Sequence, residues 1–410
     1  MIYRIHWQTP KRGCKVMKRQ TLKKMLRETD WLFAGLCLLL SAFGILMVAS
    51  ATYRTVDDGA LLSRDALVMV LATVLGMAVA LVISFIDYDL ILKLWPVWAL
   101  GSVGLMLLLL TPLGVAPDAR TDARSWLKVF ALGSYTLYLQ PSEILKIGFI
   151  ISFSVHLNRV RHDLSSFRNV LLLAIHAAIP IGLVVVTGDM GSALIFALMF
   201  IGMMFVAGVS WVYFPAGLLL IGAASPIIWY RVFDDIQRNR ILALLRPDDY
   251  PKEIYQQRQA MHAMQNGGLF GTGYLHGDFT QSNSIPESQN DMIFSVIGEE
   301  LGFVGALALL VLFALFAVRV VKNGKRAHNF AAQMVCYGVM FMVMAQMVVN
   351  IGMCTQMLPV IGITLPFISA GGSSVICLYL AVGLVLSVYR SSQGLQYDDY
   401  RYARLAINYD

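Results

Sequence analysis

Apolar residues along this chain are grouped in runs of about 20, and polar segments separate one run from the next. A helix needs roughly 20 apolar residues to cross the hydrocarbon of a bilayer, which is about 30 Å thick. The pattern therefore predicts an all-α polytopic membrane protein with about ten transmembrane helices. The predicted helices lie at about residues 31–51, 65–86, 90–112, 142–158, 169–187, 191–208, 212–233, 292–320, 329–353 and 366–390.

Two polar segments between the predicted helices are long enough to form structures of their own. The longer one covers residues 234–291, between helices seven and eight. Uncovered loops beyond about 12–15 residues are usually functional or disordered. Aliphatic and aromatic residues recur along this one, so we expect short helices that lie on the bundle. Residues 113–141, which contain Pro117 and Gly133, predict an irregular loop.

Composition and charge agree with a membrane protein and argue against a nucleic-acid-binding one. Hydrophobic residues make up 58% of the 410 residues and charged residues only 14%, whereas soluble domains carry roughly 25% charged residues. The net charge of +7 is unevenly placed, since nine of the 32 lysines and arginines precede the first apolar run. We therefore expect residues 1–30 to be a basic cytoplasmic tail that faces anionic lipid, with no nucleic acid as a partner.

The distribution of basic residues also predicts how the helices are oriented. Lysines and arginines follow predicted helices four, eight and ten, and cytoplasmic loops carry an excess of such residues. An even number of helices then leaves both termini in the cytoplasm, with residues 391–410 as a second tail. The loops at about 113–141 and 234–291 are accordingly expected to be extracytoplasmic.

Charged residues within the apolar runs are candidates for function, because a charge in hydrocarbon costs at least about 2.5–3.5 kcal/mol. Glu143 and Lys146 are three residues apart in the fourth run and share a helix face. They are expected to form an ion pair that permits burial or the wall of a polar cavity, and the two roles are compatible. Glu299 and Glu300 are adjacent in the eighth run and point about 100° apart. We expect at least one of them to reach a polar interior or a polar neighbour.

Two aspartates lie where loops meet predicted helices. Asp189, in Thr187-Gly-Asp-Met-Gly191, is a candidate N-cap of helix six. Asp291 ends the long loop, where two roles are open. It could cap helix eight, or it could take a proton from a hydroxyl group at the boundary between membrane and water.

The two loops contain further candidates for binding. The glycines from 267 to 277 resemble a phosphate cradle only weakly, since they follow no strand and match no Walker pattern. Basic residues of the long loop alternate with acidic ones, and they form either a solvated surface or one that suits a phosphorylated lipid headgroup. Trp126 in the shorter loop is an interfacial anchor or a platform on which a sugar stacks.

Four segments of the chain resemble the signatures of one family. They are Leu139-Gln-Pro-Ser-Glu-Ile-Leu-Lys146, Asp291-Met-Ile-Phe-Ser-Val-Ile-Gly-Glu-Glu-Leu-Gly302, Asn350-Ile-Gly-Met353 and Leu358-Pro-Val-Ile-Gly-Ile-Thr-Leu-Pro-Phe-Ile-Ser-Ala-Gly-Gly-Ser-Ser374. In this order they are similar to the SEDS proteins (shape, elongation, division and sporulation), which include RodA, FtsW and SpoVE. The resemblance extends from about residue 30 to 390. It implies ten helices and a peptidoglycan glycosyltransferase that polymerises lipid II on the outer leaflet.

The resemblance also implies roles for individual residues and partners. The family's essential loop carboxylate falls on Asp291, its Glu and Lys on Glu143 and Lys146, its outer-loop tryptophan on Trp126 and a further acid on Asp189. Arg124, Glu300 and Ser373 complete the candidate substrate-binding or supporting residues. The implied partners are lipid II, membrane lipids and a class B penicillin-binding protein, and the implied location is the plasma membrane of a bacterium.

The expected mechanism is an inverting β-1,4 glycosyl transfer in which Asp291 acts as general base on the acceptor sugar hydroxyl. The leaving lipid pyrophosphate needs positive charge, either from basic loop residues or from a divalent cation such as Mg²⁺ or Mn²⁺. Asp291 is a candidate ligand for that cation. No organic cofactor is expected.

Departures from the family pattern leave the biological branch open. The usual Arg-Trp pair reads Ser125-Trp126 here, and the usual His-Thr-Asp-Phe reads Gln289-Asn-Asp-Met292. The sequence therefore does not assign the chain to elongation, division or sporulation.

Two other functions remain open at this point. A lipid II flippase needs a polar groove across the membrane, which Glu143, Lys146 and Glu300 could line. A non-enzymatic scaffold for the transpeptidase would need its helix surfaces but not the Asp291 carboxylate.

Overall fold

The computed structural model describes residues 28–55, 62–116, 124–132 and 135–407. Its α-helices in chain order are α1 (Trp31–Ala51), α2 (Arg64–Phe85), α3 (Tyr88–Lys93), α4 (Trp95–Leu108), α5 (Pro141–Arg159), α6 (Phe167–Val186), α7 (Met190–Ala207), α8 (Tyr213–Ile227), α9 (Asp235–Leu245), α10 (Pro251–Gly267), α11 (Asp278–Gln281), α12 (Ile293–Glu300), α13 (Gly302–Lys325), α14 (Phe330–Cys354) and α15 (Gly372–Ile407). Three strands, β1 (Gly114–Val115), β2 (Trp126–Leu132) and β3 (Tyr135–Leu139), lie between α4 and α5. The basic tail predicted at residues 1–30 falls almost wholly outside the described residues.

Each of the ten predicted apolar runs contains a helix, which confirms a polytopic helical membrane protein. In the described part of the chain, eight helices are long and apolar enough to cross a membrane: α1, α2, α6, α7, α8 with the π-helical turn after it, α13, α14 and α15. The other two runs contain α4, which has only 14 residues, and α5, whose charged and polar side chains make it less apolar.

Three predicted helix boundaries differ from the structure. The third run is divided into α3 and α4 at Leu94, because α4 begins at Trp95 with Pro96 in its first turn, where a proline is tolerated. The eighth run is divided between α12 and α13 at Gly302, whose φ of +66° is a left-handed conformation that ends a helix. The tenth helix begins at Gly372, since the residues before it bind the long loop, and it continues to Ile407.

The segment predicted as an irregular loop, residues 113–141, instead contains an antiparallel sheet of order β1-β2-β3. Leu127 pairs with Leu139, and Lys128 pairs with Tyr138. The two longer strands are rich in aromatic and aliphatic residues, which fit a pleated surface. In the long loop, the expectation of short helices is confirmed by α9, α10 and α11.

A row of aromatic rings joins the helices that enclose the core. The centroid of Phe33 in α1 lies 5.4 Å from that of Phe316 in α13, and Phe316 lies 5.7 Å from Phe367. Phe367 in turn lies 5.8 Å from Tyr379 in α15. The Tyr379 hydroxyl shares a hydrogen bond of 2.9 Å with Ser41 Oγ. The polar group of this buried tyrosine is therefore satisfied inside an apolar core.

A buried ion pair connects α1 to α13 at the end of the bundle opposite the long loop. Asp30 accepts hydrogen bonds from Arg319 Nη2 at 2.7 Å and Nε at 2.9 Å, and from Asn323 Nδ2 at 2.8 Å. Asp30 also caps α1 by accepting from the Phe33 N–H at 3.2 Å. Since Asp30 is only 2% exposed, these donors are what offset the cost of burying its charge.

Gly44 is a point of close approach between α1 and the segment before α15. An added Cβ would contact the Phe367 carbonyl oxygen and would lie 2.6 Å from Ile368 Cα, and both are backbone atoms. We expect Gly44→Ala to destabilise the fold by about 1–3 kcal/mol, seen as a lower midpoint of thermal unfolding in detergent. Gly35→Ala on the same helix is the control, because nothing lies within 4 Å of its added Cβ. An equal loss in both variants would contradict the prediction.

Candidate active site

A cavity of about 520 Å³ opens on the side of the bundle where the long loop lies, and this volume is in the range of small-molecule sites. Its wall is built from the start of α2, the β-sheet, the residues before α5 and α7, and two loop segments at 287–291 and 362–374. The carboxylates in the wall are those of Asp65, Asp189, Glu287 and Asp291. The charged side chains that line the described part of this wall are all acidic.

Asp291 lies in the cavity wall and is 6% exposed. Gln256 Nε2 of α10 donates a hydrogen bond to Asp291 Oδ1 at 3.3 Å and another to Pro286 O at 2.9 Å. Asn350 Nδ2 of α14 donates to the Asp291 carbonyl oxygen at 2.8 Å. The carboxylate and the backbone of Asp291 are thus held by side chains from two different helices.

Of the two roles open for Asp291, the structure does not form the helix cap. α12 begins at Ile293 and its N-cap position is Met292, which makes no side-chain hydrogen bond to the helix. The chain turns before the helix starts, because the Met292 N–H donates to Glu287 O at 3.2 Å and Glu287 has a φ of +55°. This turn places Asp291 in the cavity wall instead of at the helix end.

The segment that carries Asp291 is also bound by the chain just before α15. The Ala370 N–H donates to Gln289 O at 2.8 Å, and Ser369 Oγ donates to Asn290 O at 2.6 Å. Ser369 Oγ in turn accepts from the Leu365 N–H at 2.7 Å. Two of the segments that carry the family resemblance therefore meet at the cavity.

Asp189 is the N-cap of α7, as the sequence predicts. Its carboxylate accepts from the Ser192 N–H at 3.0 Å and from Ser192 Oγ at 2.7 Å, and Ser142 Oγ of α5 donates to it at 3.4 Å. Because Asp189 also lines the cavity, it joins the starts of α5 and α7 at the cavity wall.

Glu143 and Lys146 form the predicted ion pair, with 2.7 Å between Lys146 Nζ and Glu143 Oε1. Lys146 is fully buried and Glu143 is 8% exposed. Neither side chain lines the cavity, whose wall in this region is formed by Gln140, the residue before α5. The ion-pair interpretation is confirmed, and the pair lies behind the wall.

Trp126 lies in the cavity wall, whereas Arg124 does not. The Trp126 ring meets the Tyr138 ring edge to face, with 6.5 Å between centroids, and both residues line the cavity. Arg124 is exposed, and its backbone N–H donates to Thr187 O at 3.1 Å. Ser125, which replaces the arginine of the family pattern, is 8% exposed and lines the cavity. The sheet therefore presents aromatic rings and a hydroxyl to the cavity.

Glu299 and Glu300 lie before the membrane-crossing α13, so the prediction that they belong to that crossing is wrong. Glu299 accepts from the N–H groups of Phe279 and Thr280 at 2.8 and 2.9 Å. Glu300 Oε1 accepts from Ser50 Oγ at 2.6 Å. Each carboxylate reaches a polar neighbour, as expected, and together they attach the long loop and α1 to the end of α12.

The glycines of the long loop pack against the end of α12. A Cβ at Gly267 would contact Gly298 O, and a Cβ at Gly271 would contact Glu300 O. Two backbones can approach this closely only where no side chain intervenes. Close packing therefore accounts for these two glycines without a bound phosphate.

Some residues of the cavity could not be found from the sequence. Asp65 lies in the first turn of α2, where an acidic residue is ordinary because it suits the helix dipole. Glu287 stood among many polar residues of the long loop, as did Gln256, which does not line the cavity but contacts Asp291. Ser373 does not line the cavity, although its neighbour Ser374 does.

No three His, Cys, Asp or Glu side chains in the described ranges lie close enough to hold a metal ion by themselves. Mg²⁺ is usually bound through one or two carboxylates together with substrate phosphates and water. The carboxylates of the cavity fit this way of binding Mg²⁺, in which substrate phosphates supply part of the coordination.

The bundle and its cavity define a polytopic membrane protein that holds a polar, carboxylate-lined site at the loop side of the membrane. The family described as cell cycle protein, which comprises FtsW, RodA and SpoVE, matches residues 30–394. The chain belongs to this family, which confirms the resemblance drawn from the four segments.

Individual relatives cover most of the chain. The peptidoglycan glycosyltransferase MrdB of Escherichia coli K12 is 33% identical over 315 residues, which are 76% of this chain and 83% of the relative. The stage V sporulation protein E of Bacillus subtilis is 31% identical over 373 residues, which are 89% of this chain and 98% of the relative.

Solved structures share the fold. The rod shape determining protein RodA of Thermus thermophilus superposes with a TM-score of 0.63 at 26% identity, over 89% of this chain and 97% of RodA. A chain from a peptidoglycan synthase complex, studied for its coordination of polymerization and crosslinking, gives a TM-score of 0.73 at 26% identity. That match covers 89% of this chain and 98% of the other.

Burial raises the pKa of Glu300 above that of an ordinary glutamate. The folded protein therefore holds a proton that the unfolded chain has released, and stability falls as pH rises between the two pKa values. Glu300→Gln removes this dependence. We expect its melting temperature in detergent to exceed that of the wild type by a margin that grows as pH rises above about 4.3, the pKa of an ordinary glutamate.

The control for this prediction is Glu253→Gln, which makes the same charge change at a partly exposed position of α10. A margin between the wild type and Glu300→Gln that stays constant with pH would show that the raised pKa is not the cause.

Proposed function

We propose that this chain is a peptidoglycan glycosyltransferase that polymerises lipid II by inverting β-1,4 transfer on the outer leaflet. Membership of the family and the names of the relatives support the activity. The observation that carries the site assignment is the position of Asp291, a carboxylate in the wall of an open cavity whose orientation is set by α10 and α14.

In the proposed reaction Asp291 is the general base. The 4-hydroxyl oxygen of the acceptor sugar attacks the anomeric carbon of the donor, while the bond from that carbon to the lipid pyrophosphate breaks. The hydroxyl proton passes to the Asp291 carboxylate, and the pyrophosphate leaves with the bonding electron pair. One displacement inverts an α-linked donor to a β-linked product.

A divalent cation such as Mg²⁺ or Mn²⁺ would supply the positive charge that the leaving pyrophosphate needs. The carboxylates of the described cavity wall support this, since carboxylate oxygens are ligands of such an ion. A carboxylate bound to a metal ion is a weak base, so we assign the ion to Asp65 and Asp189 and leave Asp291 as the base. A displacement transfers no electrons to a carrier, so no organic cofactor is required.

Trp126 would provide the surface on which a sugar of the substrate stacks, because it faces the cavity beside Tyr138. Glu143 and Lys146 would support the wall from behind, together with Asp189. Glu300 lies outside the cavity wall and would support the site by holding the long loop through Gln281. Arg124 and Ser373 lie outside the wall, so a role for them would require contact with substrate beyond the cavity.

We place the chain in the plasma membrane of a bacterium with both termini in the cytoplasm. The basic residues that follow α5, α13 and the first part of α15 favour this orientation. The cavity then faces the outer leaflet, where lipid II is used. A class B penicillin-binding protein would act beside it to crosslink the new strands. The similarity of the fold to a chain from a peptidoglycan synthase complex, studied for its coordination of polymerization and crosslinking, supports such a partner.

A flippase would need charged side chains along a path through the membrane. Glu143 and Lys146 bind each other, and Glu300 binds Ser50 at the loop side. None of the three lines the cavity. This arrangement favours a site at one membrane face over a path across it.

Asp291→Asn tests the base assignment. General-base catalysis contributes about 10²–10⁴-fold, so polymerisation of purified lipid II is expected to fall at least 100-fold while the melting temperature stays near that of the wild type. Asp249→Asn, at an exposed carboxylate of the same loop, is the matched control and should polymerise normally.

A wild-type rate for Asp291→Asn would rule out the base assignment. Transfer of lipid headgroups between leaflets by the wild-type protein, with no polymer formed, would favour a flippase.

Removal of divalent cations tests the second part of the proposal. Chelation with EDTA is expected to stop polymerisation, and added Mg²⁺ or Mn²⁺ should restore it. Asp65→Asn should raise the cation concentration needed for half-maximal rate several-fold, because it removes one of the two proposed ligands. Full activity of the chelated wild type would overturn the requirement.

A further inference from the structure

We infer that Gln256 of α10 is a positioning residue for the Asp291 carboxylate, an inference that rests on the proposed role of Asp291 as general base. Gln256 Nε2 donates to Pro286 O at 2.9 Å and to Asp291 Oδ1 at 3.3 Å. Each hydrogen of the amide group therefore has an acceptor in the segment 286–291. One side chain bridges the start and the end of the turn that carries the base.

The turn needs such a bridge because its own backbone is unfavourable. Glu287 has a φ of +55°, a left-handed conformation that is uncommon for a residue with a side chain. Conformations of this kind persist when surrounding contacts hold them. Gln256 holds this turn on both sides of Glu287. One hydrogen bond goes to Pro286, directly before Glu287, and the other goes to Asp291, four residues after Glu287.

The helix that carries Gln256 is itself fixed at the next residue. Gln257 Nε2 donates to Met353 O at 2.8 Å and to Leu358 O at 2.7 Å, and Gln257 is 1% exposed. These bonds attach α10 to the end of α14. Since Asn350 of α14 also holds the Asp291 carbonyl oxygen, the side chain and the backbone of Asp291 are both positioned relative to the same helix end.

The hydrogen bond from Gln256 also bears on the charge of Asp291. An N–H donor favours the ionised form of a carboxylate, so Gln256 Nε2 both orients Asp291 and favours the form that accepts a proton. Cys354 Sγ, which lies 3.7 Å from the Asp291 carbonyl oxygen, contacts the backbone of the residue and leaves the carboxylate to Gln256 Nε2 and its other contacts.

Two charged substitutions of nearly the same length as glutamine separate positioning from a merely structural role. Gln256→Glu places a second carboxylate beside Asp291 and should move the acidic limb of the pH profile of polymerisation up by about one pH unit. Gln256→Lys retains a donor and adds positive charge, so the same limb should move down. Gln256→Ala should lower kcat on the order of tenfold with little change in KM. A purely structural effect of the two charged substitutions would not move the acidic limb of the pH profile in opposite directions.

Gln265→Glu and Gln265→Lys are the matched controls. Gln265 is exposed on the same helix, nine residues further on and therefore about 13.5 Å away along the axis, so both profiles should equal that of the wild type. If a charged Gln256 variant does not fold, Gln256→Asn tests the same contact. A loss like that of Gln256→Ala supports the inference, and a wild-type kcat contradicts it.

Asp291→Asn distinguishes failure of this inference from failure of the proposed function. If Asp291→Asn is inactive but the Gln256 variants leave the acidic limb in place or move it in one direction only, the positioning role is wrong and the base assignment stands. If Asp291→Asn polymerises lipid II at the wild-type rate, the base assignment is wrong, and the inference about Gln256 fails with it.

Discussion

The cavity depends on one buried amide group that binds two chain segments which are not helical. Asn350 Nδ2 donates to the carbonyl oxygens of Asp291 and Ile363, at 2.8 Å in both cases, and Asn350 is fully buried. Carbonyl groups in such segments have no partner along a helix, and leaving one unpaired away from water costs about 1–3 kcal/mol. By meeting this requirement twice, α14 fixes the long loop and the segment before α15 relative to each other. These two adjoining parts of the cavity wall consequently share one reference point.

Buried charges in the described part of the chain meet the cost of burial in two ways. Glu143 pairs with Lys146 and Asp30 pairs with Arg319, so each of these charges has an opposite charge within 2.7 Å. Asp189 and Asp291 in the cavity wall accept from neutral donors, as Glu299 and Glu300 do outside it. Pairing offsets the cost of burying a charge in the bundle, whereas neutral donors leave the wall carboxylates with negative charge that a cation or a hydroxyl group can use.

The sequence predicts the bundle well because each helix buries its backbone polar groups within itself, so that hydropathy alone locates it. The ion pair of Glu143 with Lys146 and the cap at Asp189 also follow from local spacing. What local spacing does not contain is the geometry of the non-helical parts. The left-handed Gly302 divides a continuous apolar run, and the sheet at Trp126 depends on pairing between strands. Asp65 precedes Asp291 by 226 residues in the sequence, and the two meet in the cavity wall only because the start of α2 lies at the cavity.

The ion pair between Asp30 and Arg319 has a consequence for the order in which the chain assembles. The two residues are 289 positions apart, and a ribosome adds about 5–20 residues per second, so Arg319 is made roughly 15–60 s after Asp30. During that interval α1 is in the membrane without its final neighbour, and the aromatic contact of Phe33 with Phe316 is also missing. Closure of the core is therefore a late event of biogenesis. Until then the Asp30 carboxylate lacks the donors that Arg319 and Asn323 supply in the folded protein.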